Sequence, residues 1–148
     1  MPTIATPFSN GQIDPSRPLS SGAVCSARMV LDLTTVQVAN LDIVEIGLLH
    51  PFAYIIDATL VPEGAFGAVT CTVGIMTGTA GDLVAARTVG AELFAAATPL
   101  TAPVRNTVPA GFLLAPSETA RGIGVLFSAL VTAGAGKRLT LIVTYAQA

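Results

Sequence analysis

An all-β fold, with two antiparallel sheets packed as a sandwich and arranged as a jelly roll, is predicted by three features of the sequence. Apolar and polar residues alternate at period 2 through several segments, turn residues punctuate the chain at the spacing of short strands, and only one short stretch reads as helix. A length of 148 residues suits one domain that buries a core without disulfide staples.

Residues 1–22 stand apart as an extended N-terminal arm. Pro2, Pro7, Pro15 and Pro18, interspersed with Ser, Asn and Gly, oppose a regular hydrogen-bond ladder. Ile4, Phe8 and Ile13 are nevertheless spaced through this arm. It therefore reads either as a disordered terminus or as an arm lying along a neighbouring subunit, with those three residues as its partner-binding contacts.

Residues 23–148 form the sandwich domain. In AVCSARMVLDL, the side chains of Ala23, Cys25, Ala27, Met29, Leu31 and Leu33 share one side, opposite Ser26, Arg28 and Asp32. That pattern is a half-buried strand. DIVEIGLL and, after the His50-Pro51 break, FAYIIDATLVP are β-branched and aromatic segments bounded by Pro or Gly. In AVTCTVGIM, Val69, Cys71, Val73 and Ile75 point inward against Thr70, Thr72 and Gly74. Shorter strands are expected near 83–89 and 108–113, and a short helix near 91–97 is stopped by Pro99. RGIGVLFSALVT and the final KRLTLIVTYA read as two strands of a hairpin, with Ile123, Val125, Phe127, Ala129 and Val131 on one face and AGAGKR as the turn. Leu139, Leu141, Val143 and Tyr145 oppose Thr140 and Thr144 in the last strand. About eight strands result, with no internal repeat.

The composition excludes several classes of function. Only 11% of residues are charged while 52% are hydrophobic, so a membrane or a partner must cover apolar area. A spanning helix needs about 18 consecutive apolar residues. The uncharged stretch from Gly64 to Gly81 is broken by five glycines and four threonines, so no membrane partner is expected. The N-terminus lacks a signal-peptide pattern, and synthesis in the cytoplasm is the expectation. A net charge of -2 without a basic cluster argues against nucleic acid.

No catalytic or cofactor motif emerges. GAGKR fails as a phosphate loop because Val131 replaces the first glycine, Arg138 replaces the Ser or Thr, and a strand follows where a helix is required. Lys137 and Arg138 read as a solvated loop tip. His50 is the single histidine and reads as a turn residue, without a nucleophile elbow to support a triad. Cys25 and Cys71 read as buried free thiols. One histidine cannot furnish a cupin-like metal set. Asp42 and Glu45 fall on opposite strand faces, and Asp57 and Glu63 read as a solvated rim flanking a turn. Arg121, with Glu118 nearby, is expected to pin a loop through carboxylates or carbonyls. Neither a cofactor nor a metal ion is expected, and the chain is not read as an enzyme.

The segments VTCTVGIMTGTAGDL, APSETARGIGVLFSA and KRLTLIVTY together resemble the small jelly-roll virion proteins of tailed bacteriophages, over about Leu41 to Ala148. Within that group the chain is most similar to head decoration, or cement, proteins. The resemblance implies a structural protein at the capsid surface of the virion, with the major capsid protein as partner and a homotrimer as assembly. Physical reasoning also favours assembly, because a weakly charged β-domain suits burial between subunits and an apolar-studded arm suits docking on another chain. The expected function is therefore decoration and stabilisation of a phage capsid by bridging neighbouring subunits. A carbohydrate-binding or host-attachment sandwich, as a head fibre or tail component, is the alternative. It is weakened by the absence of Trp and by the two tyrosines, of which Tyr54 is expected in the core.

Overall fold

The structure is a computed structural model that describes residues 3–6, 9, 23–83 and 86–147. Phe8 and Ile13 lie outside these residues. In chain order the described elements are β1 (Thr3–Ala5), β2 (Val24–Asp32), β3 (Ile43–Leu49), β4 (Ala53–Glu63), β5 (Thr70–Ile75), β6 (Phe94–Pro99), β7 (Val104–Arg105), the single turn of helix α1 (Pro109–Phe112), β8 (Arg121–Phe127) and β9 (Arg138–Gln147).

The strands form two sheets, one ordered β1-β3-β8-β5-β6 and the other β2-β9-β4-β7. Every pairing is antiparallel except β1 with β3. The pairs β5·β6, β4·β7, β3·β8 and β2·β9 are nested one outside the next, as though one long hairpin had been rolled up. That is a jelly roll, and the all-β sandwich read from the sequence is the architecture observed.

Alternation builds the core between the sheets. Ala27, Met29 and Leu31 of β2 are buried while Ser26, Arg28 and Asp32 are exposed. From the other strands, Val73, Val125, Phe127, Leu141 and Val143 meet them in one cluster. A bulge between Ile55 and Asp57 resets the period in β4. Ile55, Ala58 and Leu60 thereby all reach the core, and Asp57 stays outside, where it pairs with the Arg105 guanidinium at 2.9 Å. Gly47 of β3 faces the second sheet so closely that a Cβ there would run into the Met29 side chain.

Several sequence expectations are corrected. β8 and β9 are not a hairpin: they belong to opposite sheets, and residues 128–137 cross between them. In a rolled hairpin the strands adjacent in sequence mostly lie across the sandwich, and among β2 to β9 only β5 and β6 are consecutive in one sheet. Val131 is buried through a bridge to Val38, whereas Ala129 is exposed. The segment expected as a helix near 91–97 contains β6, because pairing with β5 outweighs alanine's small helix preference over so few residues. Residues 108–113 hold α1 rather than a strand, with Pro109 opening the turn. The stretch near 83–89 contributes only the Met76–Val89 bridge among the described residues. Asp57 and Glu63 flank no turn; both lie in β4.

Residues 76–83 and 86–92 fold back over the outer face of the five-stranded sheet. Gly90 N–H donates to the Ile75 carbonyl at 3.0 Å, and Thr77 N–H to the Thr88 carbonyl at 3.0 Å. Beneath this cover, side chains on Gly122 and Gly124 of β8 would collide with Glu45 and Arg87, and with Met76 and Val89, respectively. The glycines of RGIGV are therefore spacers that admit the cover. Gly74 faces outward as its alternation suggested, and it is buried because the same cover lies on it.

Candidate functional site

The cover is held by an ion pair that the sequence pattern does not announce. Glu45, on the outer face of β3, and Arg87 are both fully buried, with Nη1 2.6 Å from Oε2 and Nη2 3.3 Å from Oε1. Arg87 also donates Nε–H to the Thr77 carbonyl at 2.7 Å, and the Gly81 N–H reaches Glu45 Oε1 at 3.1 Å. Such a bidentate pair with its remaining donors satisfied fixes geometry. It ties the loop to β3 and leaves no oxygen of Glu45 free for chemistry.

The residues weighed for catalysis are scattered. His50 is half-buried in the β3–β4 turn, its Nδ1 3.1 Å from the Pro51 carbonyl oxygen. Cys71 is a free thiol in the core of the other sheet end, and burial pushes its pKa up to about 12, so it remains protonated and a poor nucleophile. Cys25 is also free but only half-buried, less enclosed than its alternation suggested. Among the described residues, no group of three or more His, Cys, Asp or Glu side chains gathers to hold a metal. No helix among them is long and apolar enough to cross a membrane.

Three further positions depart from expectation. Lys137 is buried rather than solvated: its Nζ donates to the Thr132 carbonyl at 2.8 Å and stands 5.1 Å from the centroid of the Phe66 ring. Arg138 is exposed as expected and lies opposite Asp32 and Glu63 in the sheet. Arg121 pins no loop. Its Nε and Nη2 are shielded from solvent without a hydrogen-bond partner, and this burial lowers its pKa, offset in part by the charge of Glu92. Tyr54 is exposed on the outer face of β4 and is not a core residue; Tyr145 is the buried tyrosine.

Large apolar side chains are exposed at both ends of the sandwich, besides Tyr54 and Ile56 on β4 and Leu83 in the cover. At the end where β8 begins, the β3–β4 turn and the β7–β8 connection meet through the Phe52 N–H, which donates to the Ser117 carbonyl at 2.7 Å. Phe52, Phe112 and Leu113 are exposed there, Leu113 to 81%. At the opposite end, a groove of about 290 Å³ on the outer face of the five-stranded sheet is lined by Leu41, Thr72, Ala96, Ala97, Leu126 and Phe127, among others. Of the candidate arm contacts, Ile4 in β1 is half-buried and packs against the chain's own core. Thr6 beyond it donates its N–H to the Glu45 carbonyl at 3.1 Å and its hydroxyl to the Ile46 carbonyl.

The solved structure titled "Capsid of Ralstonia phage GP4" contains a chain 35% identical to this one, superposing with a TM-score of 0.87 over 99% of this chain and 98% of that one. This chain belongs to that phage capsid protein family. A chain of the "Cyanophage Pam1 capsid asymmetric unit" shares the fold at 18% identity and a TM-score of 0.56, over 92% of both chains. No protein-family model matches the chain, and no curated protein matches it with significance. The capsid protein is thus a structural, non-enzymatic component of a phage virion with a jelly-roll sandwich, in accord with the resemblance read from its segments.

Proposed function

We propose that this capsid protein decorates the shell, binding the surface of a lattice made by the major capsid protein and stabilising it by bridging neighbouring subunits as a homotrimer. The observation that carries this reading is the pairing of a single jelly roll with apolar side chains exposed at both of its ends, Leu113 at one and Leu41 at the other. One jelly roll with two adhesive ends suits a clamp laid across existing subunits. The N-terminal arm is part of the proposal: Phe8 and Ile13 contact a neighbouring subunit, whereas Ile4 packs against the core of its own chain.

Peptide mass spectrometry on density-banded, genome-filled particles tests the reading, with copies scaled to the major shell protein. Copies comparable to the shell subunit are expected, and absence from the particles would end the proposal. A sugar-binding host-attachment role draws on the exposed rings of Phe52, Tyr54 and Phe112. Copies limited to a few tens, with reproducible binding on a glycan array, would favour it instead.

A further inference from the structure

We infer that the start of the arm is a latch for the cover: residues 3–6 and 9, docked on β3, hold residues 76–83 and 86–92 against the sheet, and drawing them off β3 loosens that layer. The coupling lies within one chain, whatever partner the arm meets. Glu45 joins the two segments. Its backbone carbonyl accepts the Thr6 N–H from the arm at 3.1 Å, while its carboxylate receives the Arg87 guanidinium and the Gly81 N–H from the cover. The segments also touch directly. Gly81 holds a φ of 81°, and the Ser9 carbonyl oxygen lies 3.5 Å from the place a Cβ on Gly81 would take.

The attachment is polar. Of the eight buried polar or charged residues among those described, five belong to it: Thr3, Thr6, Ser9, Glu45 and Arg87. The Thr6 hydroxyl donates to the Ile46 carbonyl, and Ser9 returns its N–H and its hydroxyl to the Thr6 carbonyl at 3.0 and 3.3 Å. Of the arm, Ile4 adds apolar contact with the core. Hydrogen bonds exchanged for bonds to water contribute little net stability, so an arm held this way can leave at small cost. β1 suits release in two further respects. It pairs over three residues at the edge of its sheet, and its pairing is the parallel one among the described strands.

Water carries the effect from arm to cover. A charge pair at fixed distance attracts about fourfold less as the effective dielectric constant rises from ~20 to ~80. Lifting Thr6 and Ser9 opens the edge of β3 beside Glu45 to solvent and takes the donor from its carbonyl. The grip of Glu45 on Arg87 and Gly81 then weakens, because each member of such a network is strengthened by the others. Linkage makes the coupling reciprocal: a loosened cover must also loosen the arm.

Amide hydrogen exchange of the full chain, followed by NMR, decides the matter. Thr6→Val keeps the N–H and the shape of the side chain but removes the hydroxyl bond. It is expected to speed exchange at Gly81 and Gly90 about tenfold, while Met29 and Leu141 of the other sheet keep their rates. Deletion of residues 1–9 should give the same pattern more strongly. Conversely, Arg87→Met should speed exchange at Thr6 and Ser9 relative to Met29 and Leu141. Cover amides that keep wild-type rates after the deletion, arm amides unmoved by Arg87→Met, or an acceleration that reaches Met29 and Leu141 equally would each overturn the inference.

Discussion

The five-stranded sheet carries residues 76–83 and 86–92 of its own chain across its outer face, while the four-stranded sheet leaves Arg28, Ile142 and Thr144 near solvent. The covered face needs glycines in β5 and β8 to admit the second layer, and a buried Glu45–Arg87 pair to hold it down. The open face needs only alternation. A sheet sealed by its own chain is specified by a few irreplaceable contacts, and a sheet facing outward by a tolerant pattern.

The largest test of that contrast is Arg87→Met, which strands the Glu45 carboxylate beneath the cover. A loss of about 3–5 kcal/mol is expected in chemical denaturation, with much of it recovered in Glu45→Leu/Arg87→Met. A merely additive double variant would mean that the pair does not act as a unit. Next is Gly124→Val, which places a side chain against Met76 and Val89 and should cost about 1–3 kcal/mol. Arg28→Gln on the open sheet should stay within about 0.5 kcal/mol, and equal losses at both sites would erase the distinction.

Cys71 extends the comparison to the inner face of the covered sheet. Burial raises its pKa from 9.0 to about 12, so the unfolded chain ionises first. Stability from this group is complete below about pH 9 and falls as pH rises toward 12, at up to about 1.4 kcal/mol per pH unit. Unfolding curves between pH 9 and 11 should be flatter for Cys71→Ala than for the wild type by that increment. The open sheet offers an effect of opposite sign, because the Thr140 hydroxyl is buried there without a partner among the described residues. Thr140→Val should stabilise the fold by about 1 kcal/mol, readable as a raised melting temperature.

The same contrast explains what the sequence made legible. β2 and β9 face solvent on one side, so their period-2 patterns gave both the strands and their core residues, from Ala27, Met29 and Leu31 to Leu139, Leu141 and Val143. β3 and β8 are buried on both faces, and nothing in their strand patterns marks Gly122, Gly124 and Glu45 as the seat of a second layer. The β8–β9 hairpin was inferred from AGAGKR because short glycine-rich links usually join neighbours. Nothing local distinguishes a hairpin from a crossing between sheets. Arg87 carried no pattern because its partner is 42 positions away in sequence. The apolar ends left a trace only in composition, as a charge content too low for an isolated domain; which residues supply them depends on how the loops close.

The nested pairing also sets a tempo. Val24 must find Ala146, and Leu31 must find Leu139, before the outermost pair of strands exists, whereas β5 and β6 meet across a far shorter stretch of chain. Closing such distant partners costs loop entropy before any contact repays it, which places folds of this kind in the millisecond-to-second range. The protein is therefore expected to mature slowly from β5·β6 outward, and the supply of competent subunits would be paced by the closure of β2 on β9.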